Sequence, residues 1–299
     1  MAKPYDVIVI GAGPAGLSAA IHAARAGAEV PVVAQELGGQ LTTAPEVGNY
    51  PGFPPAPGYE LVDRMVEHAE TVGVELNVKY SNRVEGIELT DGTFRVLDEE
   101  CRAVVIATGA RPKRLGVPGE RELEGRGVSY CAICDGPAFQ NRIVAIVGSG
   151  THAANTALFL SEIAERVYVI TPDGKLESPD RALIERVLSC RNVEVVHDEV
   201  RRIVGDERVE GVELSDGDIL PCEGVFIAAG KVPNSEPFRD LVETDDRGYI
   251  VVDSEMRTSL EGVYSAGDVT TIPHRNVPSA VYQGSVAGIN AAEYALKSR

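Results

Sequence analysis

The feature that most constrains the fold is a glycine-rich turn that follows directly on an apolar run near the start of the chain. Residues 5–10 read Tyr-Asp-Val-Ile-Val-Ile, and residues 11–16 read Gly-Ala-Gly-Pro-Ala-Gly. A continuous apolar run is typical of a buried parallel strand. Gly11 permits the tight bend, Gly13 lets a pyrophosphate approach the backbone, and Gly16 lets the next helix pack closely on the strand. The pattern predicts a dinucleotide-binding βαβ unit.

The residues after this turn favour the same unit. We expect a helix over residues 17–26, whose N-terminal N–H groups would face the phosphates, and a second strand over residues 29–34. Glu36 stands twenty residues after Gly16, which is the distance at which a carboxylate meets a ribose hydroxyl in such folds. Further along, residues 74–98 alternate in hydropathy and are expected to form a β-meander.

The same architecture recurs in the middle of the chain. A strand is expected over residues 143–147, a helix over 154–163 and another strand over 167–171. The intervening residues 148–153 read Gly-Ser-Gly-Thr-His-Ala, which is a GxGxxA turn. A length of 299 residues also allows two domains. The sequence therefore predicts an α/β protein with two Rossmann-like dinucleotide-binding domains, each a three-layer ββα arrangement.

A dithiol lies between the two glycine turns. Cys131 and Cys134 are separated by two residues, so they can close a small disulfide ring, and Asp135 follows directly. Exchange proceeds through a thiolate, and Asp135 is well placed to move the proton that exchange requires. Half of a zinc site and an inert reduced pair are the alternatives. Zinc would need two more ligands at close spacing, and no metal site is predicted because the remaining cysteines stand alone in the sequence: Cys101, Cys190 and Cys222.

Composition narrows the classes of partner and the cellular location. The chain carries 45 acidic and 28 basic residues and a formal charge of −17, which disfavours nucleic acid and anionic membrane as partners. No apolar run is long enough to span a bilayer, and the short apolar start runs straight into the first turn rather than into a signal-cleavage site. The five cysteines are an odd number, which favours reduced thiols outside the redox pair. We expect a cytoplasmic protein.

Several motifs together resemble the low-molecular-weight thioredoxin reductases. They are Gly-Ala-Gly-Pro-Ala-Gly at 11–16, Gly-Gly-Gln-Leu-Thr-Thr at 38–43, Val47-x-Asn49-x-Pro51-Gly52, Ala-Thr-Gly-Ala at 107–110, Cys131-Ala132-x-Cys134-Asp135-Gly136 and Ala-Gly-Asp-Val at 266–269. The resemblance spans essentially the whole chain. It implies FAD in the first nucleotide site, a homodimer, and thioredoxin or a thioredoxin-like protein as the disulfide substrate.

The resemblance also assigns residues and domains. Asp268 would lie near the ribitol and residues 275–277 beside the isoalloxazine. The FAD-binding domain would be discontinuous, with residues 1–113 and 241–299, and residues 114–240 would form the NAD(P)-type domain that carries the dithiol. The residues expected at FAD are Gly11, Gly13, Pro14, Ala15, Gly16, Glu36, Gly39, Gln40, Asn49, Thr108, Gly109, Asp268, Arg275, Asn276 and Val277.

By match of position, the two cysteines receive different roles. Cys134 would take electrons from the flavin, Cys131 would attack the partner disulfide, and Asp135 would act as acid and base. Two alternatives stay open for this chemistry. One is an FAD-dependent dithiol oxidase that passes electrons to oxygen, and the other is a redox sensor that does not turn over.

The second nucleotide site departs from the family pattern. Its expected contacts are Gly148, Gly150, Ala153 and Asp173. NADPH-using members carry His-Arg-Arg after the second strand, where this chain has Thr-Pro-Asp at 171–173, and Glu-Glu in the helix, where it has Asn-Thr at 155–156.

Loss of the basic cluster leaves three interpretations for the electron donor. NADH could be held through Asp173, or NADPH through another cation such as Lys175 or Arg181. Alternatively, no pyridine nucleotide is used, and reduced ferredoxin or a reduced deazaflavin is the donor. We expect poor use of NADPH, because charge-assisted contacts to the 2′-phosphate would be missing.

Overall fold

The computed structural model describes residues 3–44, 47–79, 83–90, 92–178 and 180–298 of the chain. These residues belong to two compact units, one containing residues 1–111 and 232–299 and the other residues 112–231. The chain therefore leaves the first unit once and returns to it. The crossings lie two and nine residues before the domain limits expected from the sequence, 113/114 and 240/241.

The described residues form short parallel strands, antiparallel hairpins and helices. The strands are β1 Tyr5–Ala12, β2 Pro31–Leu37, β3 Glu75–Val78, β4 Glu88–Thr90, β5 Thr93–Val96, β6 Glu99–Ile106, β7 Ala110–Pro112, β8 Val128–Ser129, β9 Ile143–Val147, β10 Arg166–Thr171, β11 Val193–His197, β12 Val200–Val204, β13 Gly211–Leu214, β14 Ile219–Pro221, β15 Gly224–Ile227, β16 Lys231–Pro233 and β17 Val263–Ser265. The α-helices are α1 Pro14–Arg25, α2 Gly58–Thr71, α3 Ala132–Asp135, α4 Thr151–Ser161, α5 Arg181–Ser189 and α6 Val277–Lys297.

The first unit is built on a sheet with strand order β3-β2-β1-β6-β5-β4, and β17 also pairs with β6. Strands β1, β2, β3, β6 and β17 pair in parallel, whereas β4, β5 and β6 pair in antiparallel fashion. The expected meander over residues 74–98 is therefore wrong for its first part. Helix α2 connects β2 to β3, and such a crossover returns the chain in the same direction, which makes β3 parallel to β2.

Strand β1 explains how this unit forms three layers. Successive side chains of a strand point to opposite faces of the sheet. Val7 and Val9 pack in the apolar layer that includes α1 and α6, whereas Ile8 and Ile10 pack on the other face with Phe94. All five side chains are at most 3% exposed, so the continuous apolar run in the sequence reflects burial on both faces.

Helices α1 and α6 approach each other closely through small residues. A Cβ atom on Gly284 would lie 2.1 Å from the carbonyl oxygen of Ala15, and one on Gly288 would lie 2.1 Å from that of Ala19. No side chain fits at these two positions of α6 without moving the backbone of α1. The contact fixes the start of α6 relative to the first glycine turn, which immediately precedes α1.

The second unit repeats this design. Its main sheet has the order β11-β10-β9-β15-β8, with every adjacent pair parallel, and β12, β13 and β14 form an antiparallel sheet. Val144 and Ile146 of β9 pack with α4, while Ala145 packs with Ile203 and Val212 of the antiparallel sheet. The predicted α/β class with two Rossmann-like units is confirmed. Among the described residues, no helix has the length and apolar character needed to cross a membrane.

Candidate redox and nucleotide sites

The first glycine turn has the geometry of a phosphate cradle. Gly11 has φ +107°, and a Cβ atom there would lie 2.4 Å from the Ala107 carbonyl oxygen. A Cβ atom on Gly16 would lie 1.8 Å from the Gly11 carbonyl oxygen, so packing of α1 on β1 requires this glycine. On Gly13 the nearest atom would be the Gly38 carbonyl oxygen, 3.9 Å away. Protein packing therefore leaves space at Gly13, where a pyrophosphate would approach the backbone.

Helix α1 begins directly behind this space. Gly13 is its N-cap and provides no side-chain cap, and Pro14 occupies the first helical position. Ala15 is buried against the rest of the unit, and a Cβ atom on Gly267 would lie 2.8 Å from the Ala15 Cβ. The fold thus brings Gly267, which precedes Asp268, against the first glycine turn, although these two segments are far apart in sequence.

Glu36 lies at the carboxyl end of β2, beside the turn. The next residue, Leu37, pairs with Ala12, and the Gly38 N–H donates to the Ala12 carbonyl oxygen at 2.8 Å. Glu36 itself is exposed. This position suits the expected contact with a ribose hydroxyl at the carboxyl edge of the sheet.

The loop after β2 is tied to the end of β6. Gly39 and Gln40 lie in the short 3₁₀ helix Gly39–Leu41, and Gln40 Nε2 donates to the Ala110 carbonyl oxygen at 2.6 Å. Asn49 is exposed in a loop. An isolated β-bridge between Val47 and Ala56 closes that loop. Gln40 therefore lies at the strand end that carries the predicted Thr-Gly pair.

The Thr-Gly pair is held by the returning chain. Thr108 Oγ1 donates to the Asn234 carbonyl oxygen at 2.7 Å, and Asn234 Nδ2 donates to the Thr108 carbonyl oxygen at 2.9 Å. The Asn234 N–H also donates to the Gly109 carbonyl oxygen at 2.9 Å. Sequence analysis did not select Asn234, because the pairing joins segments more than a hundred residues apart.

The residues expected near the flavin ring, 275–277, lie at the start of α6. Arg275 Nε donates to the Asp268 carbonyl oxygen at 3.4 Å, and its guanidinium stacks 4.0 Å from the ring centroid of Tyr249. Asn276 is the N-cap of α6, and its Oδ1 accepts a hydrogen bond from Ser279 N at 2.9 Å. Val277 is the first residue of that helix. The Arg275 cation is thus held by this unit's own backbone and by an aromatic face.

Cys131 and Cys134 form a disulfide, with 2.08 Å between the sulfurs and 5.3 Å between the Cα atoms. Cys131 is the N-cap of α3, and its Sγ accepts a hydrogen bond from Cys134 N at 3.2 Å. Cys131 is half-buried and Cys134 is exposed. A reactant can therefore reach the pair from solvent.

Asp135 is held in place by a serine that sequence analysis missed. Ser129 Oγ donates to Asp135 Oδ2 at 2.6 Å and accepts from Cys131 N at 3.0 Å. Ser129 is 5% exposed, whereas Asp135 is exposed. One buried hydroxyl thereby links the acid to the backbone of the first cysteine.

A second anchor holds the residue before Cys131. Tyr130 Oη donates to Glu120 Oε1 at 2.6 Å, and Glu120, only 1% exposed, also accepts from Gly116 N at 2.7 Å. Arg114 Nη1 donates to Tyr130 Oη at 3.1 Å. Burial and the hydrogen bond to Glu120 raise the pKa of Tyr130 well above its usual range. The Tyr130 side chain is neutral. Its hydrogen bonds hold the backbone between the end of β8 and Cys131.

The second glycine turn repeats the shape of the first. Gly148 has φ +146°, and a Cβ atom there would lie 2.3 Å from the Ala228 carbonyl oxygen. A Cβ atom on Gly150 would meet no described atom within 4 Å, and Ala153 is fully buried. The backbone of this turn can accept a pyrophosphate as the first one can.

The charges around the second turn are of both signs, since burial and the nearby Lys231 lower the pKa of His152 within the turn. Asp173 is exposed just after β10, and the Glu177 N–H donates to the Ser149 carbonyl oxygen at 2.7 Å. An adjoining cavity of about 690 Å³ contains one cationic and two acidic side chains. Its lining residues are Leu176, Glu177, Ser178, Arg181, Ile184 and Glu185. Glu177 was not selected from the sequence, because its position beside the turn depends on the fold of the loop after β10.

The other three cysteines are free thiols. Cys101 and Cys222 are buried, and burial raises the pKa of each to about 12, whereas Cys190 is half-buried. Within the described part of the chain, no cluster of three or more His, Cys, Asp or Glu side chains could hold a metal ion.

Comparison with known proteins gives matches over nearly the whole chain. The family model described as pyridine nucleotide-disulphide oxidoreductase matches residues 5–293. A thioredoxin reductase of Listeria monocytogenes is 41% identical, over 98% of this chain and 94% of that protein. Among solved structures, the thioredoxin reductase of Lactococcus lactis in its FR conformation matches with a TM-score of 0.85 and 32% identity, over 98% and 99% of the two chains. A ferredoxin-flavin thioredoxin reductase from Clostridium acetobutylicum matches with a TM-score of 0.54 and 30% identity, over 99% of each chain.

Proposed function

The chain belongs to the low-molecular-weight thioredoxin reductases of the pyridine nucleotide-disulphide oxidoreductase family, and we propose that it passes electrons from FAD through the Cys131–Cys134 disulfide to thioredoxin or a thioredoxin-like protein. It is an oxidoreductase. The observation that carries the proposal is the accessible disulfide with Asp135 beside it, in a chain that also holds two glycine turns shaped for dinucleotides.

The first unit supports FAD as the bound dinucleotide. Space at Gly13, the start of α1 and the exposed Glu36 suit the pyrophosphate and a ribose. Gln40, Thr108 and Gly109, together with Asp268 and residues 275–277, would line the remainder of the cofactor. When bound, FAD would supply two electrons to the disulfide.

The dithiol would then reduce the partner in two exchange steps. The Cys131 thiolate attacks the partner disulfide, which forms a mixed disulfide and releases one partner thiolate. The Cys134 thiolate attacks the Cys131 sulfur, which releases the second partner thiolate and restores the Cys131–Cys134 disulfide. Asp135 carries a proton to each departing sulfur, so the partner gains two electrons and two protons in total.

The second unit supports a donor other than NADPH. Two acidic residues, Asp173 and Glu177, lie in the loop after β10, where NADPH-using members carry arginines, and Arg181 lines the adjoining cavity. A 2′-phosphate would lack the paired arginine contacts there. NADH, reduced ferredoxin and reduced deazaflavin are the remaining candidate electron donors. The match to a ferredoxin-flavin thioredoxin reductase supports reduced ferredoxin among them. A homodimer stays a prediction from the family resemblance, and a cytoplasmic location stays a prediction from the apolar runs and composition of the sequence.

Anaerobic flavin spectroscopy tests the proposal. Purified holoprotein is mixed with NADH, NADPH, reduced ferredoxin or reduced deazaflavin, and bleaching of the flavin is followed, after which oxidised thioredoxin is added. We expect slow bleaching by NADPH, rapid bleaching by one other donor, and reoxidation of the flavin by thioredoxin. Millisecond bleaching by NADPH would refute the expectation about the donor. Reoxidation by oxygen with a small dithiol as reductant, but never by thioredoxin, would identify a dithiol oxidase, and no turnover with any acceptor would identify a sensor.

A further inference from the structure

We propose that Ser129 is a positioning residue, which holds Asp135 in the orientation that serves proton transfer to the dithiol and to the departing sulfur of the partner. This inference rests on the proposed function. Ser129 lies outside the Cys-x-x-Cys-Asp segment, and it acts through one hydroxyl group.

The geometry separates the two oxygens of the Asp135 carboxylate. Ser129 Oγ lies 2.6 Å from Oδ2 and 3.2 Å from the Cys131 carbonyl oxygen, so its single hydrogen is best placed for the carboxylate. The hydroxyl oxygen accepts from Cys131 N at 3.0 Å, which orients that hydrogen. Among the described residues, no hydrogen bond reaches Asp135 Oδ1. Oδ2 is therefore the anchored oxygen, and Oδ1 is the oxygen that takes up and releases the proton.

Burial gives this arrangement its stiffness. Ser129 closes β8, which pairs with the buried strand β15, and its side chain is 5% exposed. Asp135 by contrast is exposed at the end of the four-residue α3, where the backbone gives little restraint. An exposed carboxylate without an anchor would sample several rotamers, whereas proton transfer needs the acid within hydrogen-bond reach of the sulfur.

The proton balance shows what the anchored carboxylate must do. In the reduced protein both Cys131 and Cys134 are thiols. As Cys131 attacks and breaks the partner disulfide, its proton passes to Asp135 and on to the first departing partner sulfur. Cys134 then attacks the Cys131 sulfur, and its proton passes through Asp135 to the second departing partner sulfur. Asp135 relays one proton for each partner sulfur and ends as a carboxylate.

The test is a single-turnover comparison of variants. Holoprotein reduced by dithionite is mixed anaerobically with oxidised thioredoxin, and in parallel with a small aromatic disulfide. We expect Ser129→Ala to slow exchange about tenfold, the equivalent of one hydrogen bond to a charged group, with the half-saturating concentration of thioredoxin unchanged. Ser129→Thr, which restores a hydroxyl, should return the rate to within about threefold of wild type. Ser161→Ala, which removes another serine bond to backbone in the same unit, is the control and should exchange at the wild-type rate.

A double-mutant cycle separates positioning from general support of the fold. Asp135→Asn alone should slow exchange by about a hundredfold, because the proton carrier is lost. Adding Ser129→Ala to it should change the rate by less than about twofold, since nothing remains to be positioned. The inference would be overturned if Ser129→Ala exchanged at the wild-type rate or if Ser129→Thr failed to recover it. It would also be overturned if the rate loss of the double variant equalled the product of the two single losses.

The two acceptors distinguish this inference from the proposed function. A wild-type protein that reduces the aromatic disulfide but not thioredoxin would overturn the proposed partner, and the variant series with the aromatic disulfide would still decide the role of Ser129. A reduced wild-type protein that reduces neither acceptor would overturn both.

Discussion

The main-chain N–H of Glu177 donates to the carbonyl oxygen of Ser149 at 2.7 Å, so an acidic residue lies directly against the second glycine turn. The backbone of that turn retains the dinucleotide shape, with open space at Gly150. The turn therefore has the shape for a ligand with several phosphates, while the residue that contacts it through the main chain is acidic. An arginine at that position would offer the phosphates a paired cation that glutamate does not.

Reversing this charge should improve binding of NADPH. We expect Glu177→Arg to lower the dissociation constant for NADPH by about tenfold and to speed flavin reduction by NADPH, because an arginine fork can pair with phosphate oxygens. Glu207→Arg, an equal charge change at an exposed turn of the same unit, is the matched control and should have little effect. Tight binding by the wild-type protein, or an equal gain in both variants, would show that Glu177 does not set the specificity.

The glycines of the first turn should respond differently to the same substitution. Gly13→Ala adds a methyl group that meets only the Gly38 oxygen at 3.9 Å, so we expect a folded protein that binds FAD at least about tenfold more weakly because the group enters the phosphate space. Gly16→Ala would place its methyl 1.8 Å from the Gly11 oxygen and should destabilise the apoprotein by about 2 kcal/mol or more. Flavin absorbance and urea unfolding of the apoproteins measure the two effects. A Gly13→Ala protein that keeps FAD at wild-type affinity would contradict the phosphate role.

The parts of the molecule that sequence analysis predicted are those encoded locally. The glycine turns, the apolar strands and the dithiol each lie within a few consecutive residues, so spacing alone indicated the α/β class and a cysteine pair able to form a disulfide. The family resemblance is likewise confirmed by the comparisons. Roles assigned to individual site residues remain predictions.

The parts that it missed depend on tertiary contacts. The parallel pairing of β3 followed from the α2 crossover rather than from the alternation of its side chains. The bond between Tyr130 and the buried Glu120, and that between Thr108 and Asn234, join separate segments of chain. Ser129 differs, because it lies six residues from Asp135, but a lone serine beside a cysteine motif carries no spacing signal. The fold of the β8–α3 segment brings its hydroxyl to the acid.

The buried thiols should give a distinct alkaline signature. The pKa of Cys101 and of Cys222 is raised to about 12 by burial, above the reference value of 9.0. Between pH 9 and 12 the unfolded thiols ionise while the folded ones keep their protons, so their contribution to stability is full below pH 9 and is lost as pH rises towards 12. Urea midpoints of the oxidised protein should fall across this window, and less steeply in Cys222→Ala.

Thiol labelling checks the same burial independently. At pH 8, a maleimide should label the half-buried Cys190 of the native oxidised protein, and the other two free thiols should react only after unfolding. Rapid native labelling of all three thiols would contradict the burial of Cys101 and Cys222.

The division of work between the two active-site sulfurs can be decided by trapping. Exposure alone would favour the exposed Cys134 as the sulfur that meets a protein partner, since Cys131 is half-buried, whereas the family resemblance assigns exchange to Cys131. Replacing the resolving thiol leaves a mixed disulfide with no second thiolate to break it. We therefore expect Cys134→Ser to accumulate a covalent complex with thioredoxin, visible by mass spectrometry, and Cys131→Ser to retain FAD but lose thioredoxin reduction by more than about a thousandfold. A complex trapped on Cys134 in the Cys131→Ser protein, with none in Cys134→Ser, would reverse the two roles.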